Sequence, residues 1–429
     1  MFSVSHIRDL TPEKDGRLVS VTGWVYTKRM HGGVIFVTIR DSTGLIQTAI
    51  HSDSVSREDF EKAKNVTRES SVIVKGRVHA DSRAPGGVEI QSTSFDVISL
   101  AATDYPIKPG AGKKLLLDNR HLHIRSPKVS AVLSIRAVFC DGARRWFEQN
   151  GFTEVHCPIL ITAACEGGAT LFPVEYFGKK AFLSQSVQLY QEAAITSLQK
   201  VFSIEPSFRA EMSRTRRHLT EFWQIEAEAA NATLEDIMSV QEQLLSHICN
   251  FISEKCSDRL KELGKRFKPP TPPFPRITYS DAVERLQNLG VKIEWGEDLG
   301  ADEEHALSKQ FKLPFFVMYY PKKSKAFYHK PKPDDPEVTL SADLLAPGGY
   351  GEIAGGGQRI DDYEELIRNI KEFGLNPDDY EWYTDLRKYG SVAHSGFGLG
   401  IERTLQWILK LSHIRECCLF PRTPARVYP

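Results

Sequence analysis

The first hundred or so residues of the chain show short runs in which apolar and polar positions alternate, the pattern of half-buried β-strands. Turn-forming sequences separate these runs, among them Gly-Gly, Asp-Ser-Thr-Gly and Ala-Pro-Gly-Gly. Five strands in so short a stretch predict a small β-barrel. The predicted strands are Val19–Tyr26, Val34–Arg40, Leu45–Ile50, Val72–Val78 and Val88–Phe95.

One helical pattern, Ser56–Arg68, falls between the third and fourth predicted strands. An oligonucleotide-binding barrel, or OB-fold, carries its helix at this place. We therefore predict an OB-fold domain at residues 1–98. Prolines and glycines follow it, and they predict a linker at residues 99–125.

Longer helical patterns mixed with isolated strand-like runs occupy residues 126–429. Because the βαβα rhythm of a doubly wound parallel sheet is missing, we predict a second domain of α+β class. The predicted helices are Pro127–Gln149, Leu234–Cys256, Tyr363–Phe373 and one that begins near Gly400, and the predicted strands are Phe315–Tyr320 and Glu352–Gly357.

Composition excludes several classes of protein. With 41% hydrophobic and 26% charged residues, the 429-residue chain is not mainly disordered, collagen-like or membrane-spanning. Its 55 basic and 55 acidic residues balance, so no global cationic field attracts nucleic acid. The seven cysteines form no CxxC pair, and the charged N-terminus does not resemble a signal peptide. We expect a cytoplasmic protein with no membrane partner.

Nucleotide chemistry is suggested by a basic loop in the segment 207–228. Arg209 ends an apolar run, and Arg214, Arg216, Arg217 and His218 crowd the loop that follows. Guanidinium groups bind phosphate oxygens through two parallel hydrogen bonds and stay charged at physiological pH, so such a loop suits a polyphosphate. A solvated basic turn between two strands is the alternative. The chain has neither a GxxxxGK[ST] loop nor a GxGxxG after a strand.

Two further segments carry candidate ligands. In Ser395–Arg403 a glycine-dense strand runs into a helix, which allows close approach of a ligand or merely forms a tight turn. Asp343 and Glu352 flank Pro-Gly-Gly-Tyr-Gly in a predicted hairpin, and paired carboxylates beside phosphates indicate Mg²⁺. Residues 151–160, taken alone, predict an edge strand.

These segments, in this order, resemble the three signature motifs of the class II aminoacyl-tRNA synthetases, at 151–160, 207–228 and 395–408. The strings CEGGATLF, QSVQLYQE, YGEIAGGGQR and GFGLGIER are similar to the asparaginyl/aspartyl subgroup, and most like asparaginyl-tRNA synthetases of the archaeal and eukaryotic type. The resemblance covers nearly the whole chain. It implies an antiparallel sheet flanked by helices in the second domain, a homodimer, and tRNA, ATP, Mg²⁺ and asparagine or aspartate as partners.

The resemblance also implies an ATP site. Arg209 is expected to hold the α-phosphate and the amino-acid carboxylate, and Glu211 to bind the adenine amino group. Arg217 and His218 correspond to the clamp on the γ-phosphate. The remaining members are Phe222 and Arg403 on the two faces of adenine, Gly400, and Glu352 with Asp343 at Mg²⁺. Of these, Arg209, Arg403 and Glu352 form the expected catalytic set.

For the amino acid, the resemblance implies that Glu166 binds the α-ammonium group, that Ser186 and Gln188 line the pocket, and that Arg359 contacts the substrate side chain. Aspartyl enzymes carry a lysine where this chain has Gln191. A buried carboxylate with one cation instead of two is costly, so Gln191 favours asparagine. The alternative is that this position varies and selectivity lies elsewhere. Gly355, where archaeal-type aspartyl enzymes tend to have serine, points the same way but leaves the second metal ligand open.

In the barrel, the resemblance implies that Phe36 stacks on the central anticodon base, that Gln47 bonds to it and that Glu89 meets the first anticodon base. Phe36 is equally well interpreted as an interior barrel residue. The main rival function is a non-discriminating aspartyl-tRNA synthetase. An asparagine synthetase sharing this core would lack the barrel, and an inactive RNA-binding module would have lost Arg209, Arg403 or Glu352.

Overall fold

The computed structural model describes residues 3–165, 170–213 and 215–429. The chain forms two compact units, Met1–Pro127 and Lys128–Pro429. Within the described ranges, no helix combines the length and the apolar character needed to cross a membrane.

The first unit contains a closed five-stranded barrel. Strand β2 pairs with β3, β3 with β4, β4 with β6, β6 with β5, and β5 again with β2. Of these five pairings, β4–β6 is parallel and the other four are antiparallel. The short strand β1 adds to β2, also in parallel. The strands are β1 Ser3–Val4, β2 Leu18–His31, β3 Val34–Arg40, β4 Leu45–His51, β5 Ser71–Ala80 and β6 Val88–Ser99. The predicted OB-fold is confirmed.

Strand alternation builds the barrel core. On β3, Ile35, Val37 and Ile39 point inward and are buried, whereas Phe36 lies on the outward face and is half-buried. The interpretation of Phe36 as an interior core residue is therefore wrong. Between β4 and β5 lies α1 (Arg57–Asn65), which begins where the Ser56 side chain accepts a hydrogen bond from the Asp59 N–H.

Two short helices, α2 (Lys113–Asp118) and α3 (Arg120–His123), lie in the stretch predicted as a linker. This stretch contacts the barrel, since the Thr67 hydroxyl donates to the Ala101 carbonyl and Arg68 donates to the Ile107 carbonyl at 2.9 Å. The contacts place it in the first unit.

The second unit is built on an eight-stranded sheet with the order β13-β14-β17-β18-β19-β12-β11-β7. Its pairings are antiparallel except at the two edges, β13–β14 and β11–β7, which are parallel. The strands are β7 Thr153–Glu154, β11 Lys200–Phe208, β12 Glu221–Ala230, β13 Arg276–Thr278, β14 Phe315–Met318, β17 Ser341–Ala346, β18 Gly351–Gln358 and β19 His394–Gly400. Smaller sheets contain β8 Leu160–Ile161, β9 Pro173–Tyr176, β10 Lys179–Leu183, β15 Pro331–Lys332 and β16 Asp335–Thr339.

Helices cover this sheet, as the α+β prediction requires. The apolar sides of α4 and α6 share one core with α12 and the central strands. Helix α6 begins at a capping box, in which Thr233 and Asp236 each bond the other's backbone N–H. The helices are α4 Pro127–Gln149, α5 Gln188–Leu198, α6 Leu234–Lys255, α7 Ser257–Glu262, α8 Tyr279–Asn288, α9 Ala301–Ser308, α10 Tyr363–Glu372, α11 Glu381–Lys388 and α12 Ile401–Ile408.

The fold brings the distant sequence motifs onto neighbouring strands. The basic loop connects β11 to β12, β12 pairs with β19, and β19 pairs with β18. Asp343 and Glu352 lie on the hairpin β17–β18, as predicted. Thr153–Glu154 is the edge strand expected near the first motif.

Candidate active site

Two adjoining cavities open over the central strands of the sheet, and they share Arg209, Gln224, Glu352 and Gly398. The first has a volume of about 250 Å³ and the second about 60 Å³. The predicted residues in the first cavity are Ser186, Gln188, Gln191, Arg209, Asp343, Glu352 and Arg359. Those in the second are Arg209, Glu211, Arg217, His218, Phe222, Glu352, Gly400 and Arg403. Glu166 and Arg214 lie outside the described residues.

Arg209 stands on the wall common to both cavities. Its backbone N–H donates to the Thr220 carbonyl at 3.0 Å, which fixes the chain where β11 ends. Its guanidinium carbon lies 5.5 Å from the centre of the Phe222 ring. Within the described ranges, the buried Nε of Arg209 has no hydrogen-bond partner. The residue therefore offers a free donor and a positive charge to an anion that spans the two cavities.

His218 in the second cavity bonds to the basic loop itself. Its Nδ1 lies 3.1 Å from the Ser213 hydroxyl and also contacts the Thr215 hydroxyl. Burial, reinforced by the charge of Arg403, lowers the pKa of His218. At neutral pH His218 can therefore bind an anion through a hydrogen bond rather than through a full positive charge.

Arg403, from the first turn of α12, donates from Nη1 to the Glu352 carboxylate at 2.7 Å. Burial acts to raise the pKa of Glu352, but the charges of Arg403 and Lys325 outweigh it and lower the pKa to about 2. Glu352 is therefore ionised at physiological pH.

Asp343 is the second carboxylate of this wall. Lys325 holds it through two contacts, at 2.8 and 2.6 Å. Burial raises the pKa of Asp343 to about 6, with Lys325 opposing the shift and Glu352 adding to it. Lys325 was not predicted from the sequence, because it lies between the second and third motifs and belongs to no recognisable sequence pattern.

Gly355 leaves the space between these two carboxylates open. A Cβ atom added there would lie 3.0 Å from Asp343 Oδ1 and 3.2 Å from Glu352 Oε1. The two carboxylates thus converge over a backbone position without a side chain. Two hard oxygen donors facing one small space fit a Mg²⁺ ion.

Side chains on α5 and the segment before it are held by Glu226. The Ser186 hydroxyl donates to the Glu226 carboxylate at 2.5 Å, and the Gln188 N–H donates to the Ser186 hydroxyl at 3.1 Å. Gln191 donates from Nε2 to the Ser203 hydroxyl and to the Glu226 carbonyl, both at 3.1 Å. Gln191 therefore adds no positive charge to the first cavity.

The cation predicted to meet the substrate side chain, Arg359, is already paired. Its Nε and Nη2 donate to the two carboxylate oxygens of Glu228 at 3.1 and 3.0 Å. The side chains of Arg359 and Glu228 are 3% and 0% exposed. Glu228 compensates the charge of Arg359 at the wall of the first cavity.

Sequence analysis also missed Glu226 and Glu228, although a signal was present. Gln224, Glu226 and Glu228 are spaced by two along β12, so that they share one face of the strand and line the first cavity. Three polar residues on a strand face inside an enzyme domain mark a polar cavity wall.

A cluster of Glu192, Glu228 and His394 lies close enough together to hold a metal ion. Arg359 already bonds Glu228, and Arg387 bonds Glu192. Both carboxylates are already bonded by buried guanidinium groups, so the cluster is a charge-balanced support of the cavity wall.

The barrel carries the other predicted residues as one hydrogen-bonded group. Gln47 donates from Nε2 to the Glu89 carboxylate at 2.8 Å and accepts from Arg29 Nη2 at 2.9 Å. The Arg29 guanidinium carbon lies 4.9 Å from the centre of the Phe36 ring. Sequence analysis missed Arg29, which orients Gln47 beside the outward-facing Phe36.

The sequence and the fold are similar to those of known proteins. Residues 112–424 match the family "tRNA synthetases class II (D, K and N)", and residues 19–98 match the family "OB-fold nucleic acid binding domain". The chain is 55% identical to the asparagine–tRNA ligase of Pyrococcus abyssi over 100% of both proteins. It is 53% identical, with a TM-score of 0.96 and full coverage of both chains, to the asparaginyl-tRNA synthetase of Pyrococcus horikoshii solved with asparaginyl-adenylate.

An aspartyl-tRNA synthetase of Entamoeba histolytica is less similar, at 29% identity and a TM-score of 0.88, with coverage of 100% of this chain and 93% of that one. The full-length matches to asparagine enzymes exceed half of all positions. The chain therefore belongs to the class II tRNA synthetases of the D, K and N family, within the asparaginyl-tRNA synthetases.

Proposed function

We propose that the protein activates L-asparagine with ATP to form asparaginyl-adenylate and then transfers the asparaginyl group to tRNA(Asn). The observation that carries the choice of amino acid is the buried Arg359–Glu228 pair in the first cavity. The similarity to asparagine enzymes along the whole chain supports the same choice.

Charge balance explains the preference for an amide. Aspartate would bring a carboxylate into a cavity in which Glu228 neutralises Arg359 and Gln191 is uncharged. Burying a charge without a compensating cation costs several kcal/mol, whereas a neutral amide can accept from Arg359 and donate to Glu228. Asparagine is therefore the better-matched substrate.

In the proposed first step, the asparagine carboxylate attacks the α-phosphorus of ATP and pyrophosphate leaves. Negative charge builds on the phosphoryl oxygens, and Arg209, on the common wall, stabilises it. The asparagine carboxylate is already ionised at neutral pH, so no side chain has to act as a general base. In the second step the ribose hydroxyl of the tRNA attacks the carbonyl carbon of the asparaginyl-adenylate, the bond to the phosphate breaks and AMP leaves. A phosphate oxygen of the adenylate accepts the hydroxyl proton.

The second cavity takes the nucleotide. Phe222 and Arg403 stack on the two faces of the adenine, and Glu211 accepts a hydrogen bond from its amino group. Gly400 leaves the backbone accessible to the adenine. Arg217 and His218 bind the terminal phosphates. In the first cavity, Ser186 and Gln188 contact the asparagine. Glu166, which lies outside the described residues, is assigned to the α-ammonium group of the asparagine by the resemblance alone.

Glu352 and Asp343 would hold Mg²⁺, since their carboxylate oxygens converge beside Gly355. The ion, when bound, neutralises phosphate charge and orients the ATP. Lys325 stays beside Asp343 and limits the net negative charge of the site when no cation is bound.

In the barrel, Phe36 stacks on the central anticodon base, Gln47 bonds to its edge, and Glu89 meets the first anticodon base. The Arg29–Gln47–Glu89 hydrogen bonds support this assignment, because they leave the Gln47 amide one donor and one acceptor position for a base.

We also propose a homodimer in the cytoplasm. A groove of about 500 Å³ beside α4 supports the dimer, since Trp223 and Leu419 in it are 39% and 49% exposed. Within the described ranges no disulfide joins the cysteines, which fits a reducing compartment. Light scattering on the eluting protein measures the mass, and a monomer of 48.4 kDa at micromolar concentration would contradict the dimer.

Charging assays test the proposed function. The enzyme is incubated with tRNA(Asn) or tRNA(Asp) and with labelled asparagine or aspartate, in all four combinations. Label should appear only with asparagine and tRNA(Asn). Aspartate on both tRNAs would instead establish the non-discriminating aspartyl enzyme.

A further inference from the structure

Glu304 is a carboxylate of the first cavity that has no role in the mechanism proposed above. It lies in the first turn of α9, a helix between the second and third motifs. Its side chain is 13% exposed. Burying a charged side chain is costly unless an opposite charge or a hydrogen bond compensates it, so Glu304 needs such a partner.

The partners of Glu304 are two members of the proposed ATP site. Its Oε2 lies 2.7 Å from Arg217 Nη2 and accepts the backbone N–H of Glu352 at 2.7 Å. Arg217 Nη2 also donates to the Glu352 carbonyl at 3.1 Å. One carboxylate thus ties the arginine of the basic loop to the strand that carries a proposed Mg²⁺ ligand.

The rest of the Arg217 guanidinium is left available. Its Nη1 is buried, and within the described ranges it has no hydrogen-bond partner. Because the guanidinium is a rigid plane, fixing Nη2 also fixes the direction of Nη1. Arg217 lines the second cavity, where the proposed triphosphate lies.

The backbone is shaped around this ion pair. Gly351 has a φ of +70°, and a Cβ atom there would collide with both Arg217 Nη1 and Glu304 Oε2. Only glycine adopts this conformation readily and leaves this space open. The first residue of β18 therefore accommodates the pair directly.

We propose that Glu304 is a positioning residue that holds Arg217 ready for the β- and γ-phosphates of ATP and, in the reverse reaction, for pyrophosphate. This inference rests on the proposed function for the identity of the phosphate ligand. Glu304 itself touches no phosphate. It acts by ordering a long side chain before the ligand arrives, which removes that entropic cost from binding.

The test is Glu304→Gln in the full-length enzyme. The glutamine keeps the size of the side chain and can still accept the Glu352 N–H, but it loses the charge that holds Arg217. Calorimetry on the enzyme gives the Kd for ATP and for pyrophosphate, and pyrophosphate exchange gives the KM for ATP and for asparagine. We expect both Kd values and the KM for ATP to rise roughly 3- to 10-fold, the cost of ordering one side chain. The KM for asparagine should change less than about twofold.

Two controls separate positioning from a general loss of structure. Asp302→Asn removes an exposed carboxylate from the same helical turn and should leave all constants unchanged. In an Arg217→Ala background, Glu304→Gln should have no further effect, because the residue through which Glu304 acts is gone. If Glu304→Gln does not fold, Glu304→Asp, which keeps the charge at a shorter reach, should show the same split between ATP and asparagine.

Tighter ATP binding by Glu304→Gln would overturn the proposal, because it would show that Glu304 competes with phosphate for Arg217. An undiminished effect of Glu304→Gln in the Arg217→Ala background would also overturn it. If the unmutated enzyme exchanges pyrophosphate with neither amino acid, the proposed function fails. The calorimetric ATP affinities still decide the role of Glu304 in that case.

Discussion

Arg209 shows how one residue serves both halves of the site. It lies where both cavities meet, and its Nε is buried without a partner within the described ranges. The role of Arg209 in the site could be predicted from the sequence, because its position at the end of an apolar run and before a basic loop is a local pattern. The burial of its Nε without a partner could not, because this depends on the tertiary structure.

Arg209→Ala should reduce adenylate formation by at least roughly 10²- to 10³-fold, since it removes a fixed charge from the developing phosphoryl anion. Pyrophosphate exchange measures the loss, and the melting temperature should stay close to that of the unmutated protein. A variant with nearly full exchange activity would refute the assigned role.

Glu228 shows the limit of local sequence analysis. Its spacing on β12 marks it as facing a cavity, but its partner Arg359 lies 131 residues away in sequence. Only the pairing of β12 with β19, and of β19 with β18, brings the two together. The charge of Arg359 is compensated within this pair, whereas the sequence indicated a lack of positive charge in the amino-acid site only through Gln191.

Glu228→Gln should shift selectivity from asparagine towards aspartate, because the charge of Arg359 is then free to bind a carboxylate. We expect the ratio of kcat/KM for the two amino acids to change about 10-fold or more, which corresponds to about 1.4 kcal/mol. Glu221→Gln, an exposed change on the same strand, is the matched control. An unchanged ratio in Glu228→Gln would contradict the role of the pair.

At the scale of elements, the strands of the barrel and the helices α4, α6 and α10 were predicted to within a few residues, since each has a clear hydrophobic period. Helices α5, α8, α9 and α11 were not predicted. For α8 a signal existed in the capping box of Thr278 and Asp281. For α9 the first turn holds three acidic residues and little apolar pattern, and contacts with β17 and β18 place it.

Strand β3 carries the predicted recognition surface of the barrel. Phe36→Ala should raise the KM for tRNA roughly 10- to 100-fold, the worth of stacking on one base, while pyrophosphate exchange stays unchanged. Val34→Ala, on the same outward face of β3, is the control for the strand itself. Equal losses in charging and in exchange would show that Phe36 is structural.

A buried ion pair ties β3 to the start of β5. Arg40 donates to both carboxylate oxygens of Glu69, at 3.0 and 2.8 Å, and Glu69 is 2% exposed. Glu69→Gln should lower the free energy of unfolding of the barrel by about 3 kcal/mol, because it leaves Arg40 buried without a counter-charge. Hydrogen exchange of the β3 amides in the full-length protein measures this. Glu58→Gln, in an exposed ion pair with Lys62, should leave this free energy nearly unchanged.

The same pair predicts a dependence on pH. Burial raises the pKa of Glu69, but Arg40 and Arg125 outweigh it, so the pKa in the folded protein is lowered. The stability that Glu69 contributes is therefore fully present above the unfolded pKa of about 4.3 and is lost as the pH falls through the lower folded value. In Glu69→Gln this acid-dependent loss of protection of the β3 amides should be smaller. An identical acid profile would contradict this account of the pair.

At the scale of the whole molecule, the proposed functions divide between the two units, with anticodon recognition in the first and amino-acid activation in the second. The OB-fold and the class II fold could both be predicted, because the order of the motifs can be read along the chain. The side-chain contacts between residues distant in sequence could not be predicted in this way. The balance of 55 basic and 55 acidic residues is compatible with an RNA partner, since an enzyme can bind RNA through a local positive site such as the basic loop without a net positive charge. Both proposed substrate cavities are lined by residues of the second unit, so we expect selection of the amino acid to depend on that unit.

Pyrophosphate exchange with asparagine and with aspartate, measured side by side on the unmutated enzyme, tests the central claim most directly. Because Glu228 compensates the charge of Arg359 and Gln191 is uncharged, we expect a kcat/KM for asparagine that exceeds the value for aspartate by about 10²-fold or more, since an uncompensated carboxylate costs several kcal/mol. Equal exchange with the two amino acids, or faster exchange with aspartate, would contradict the account.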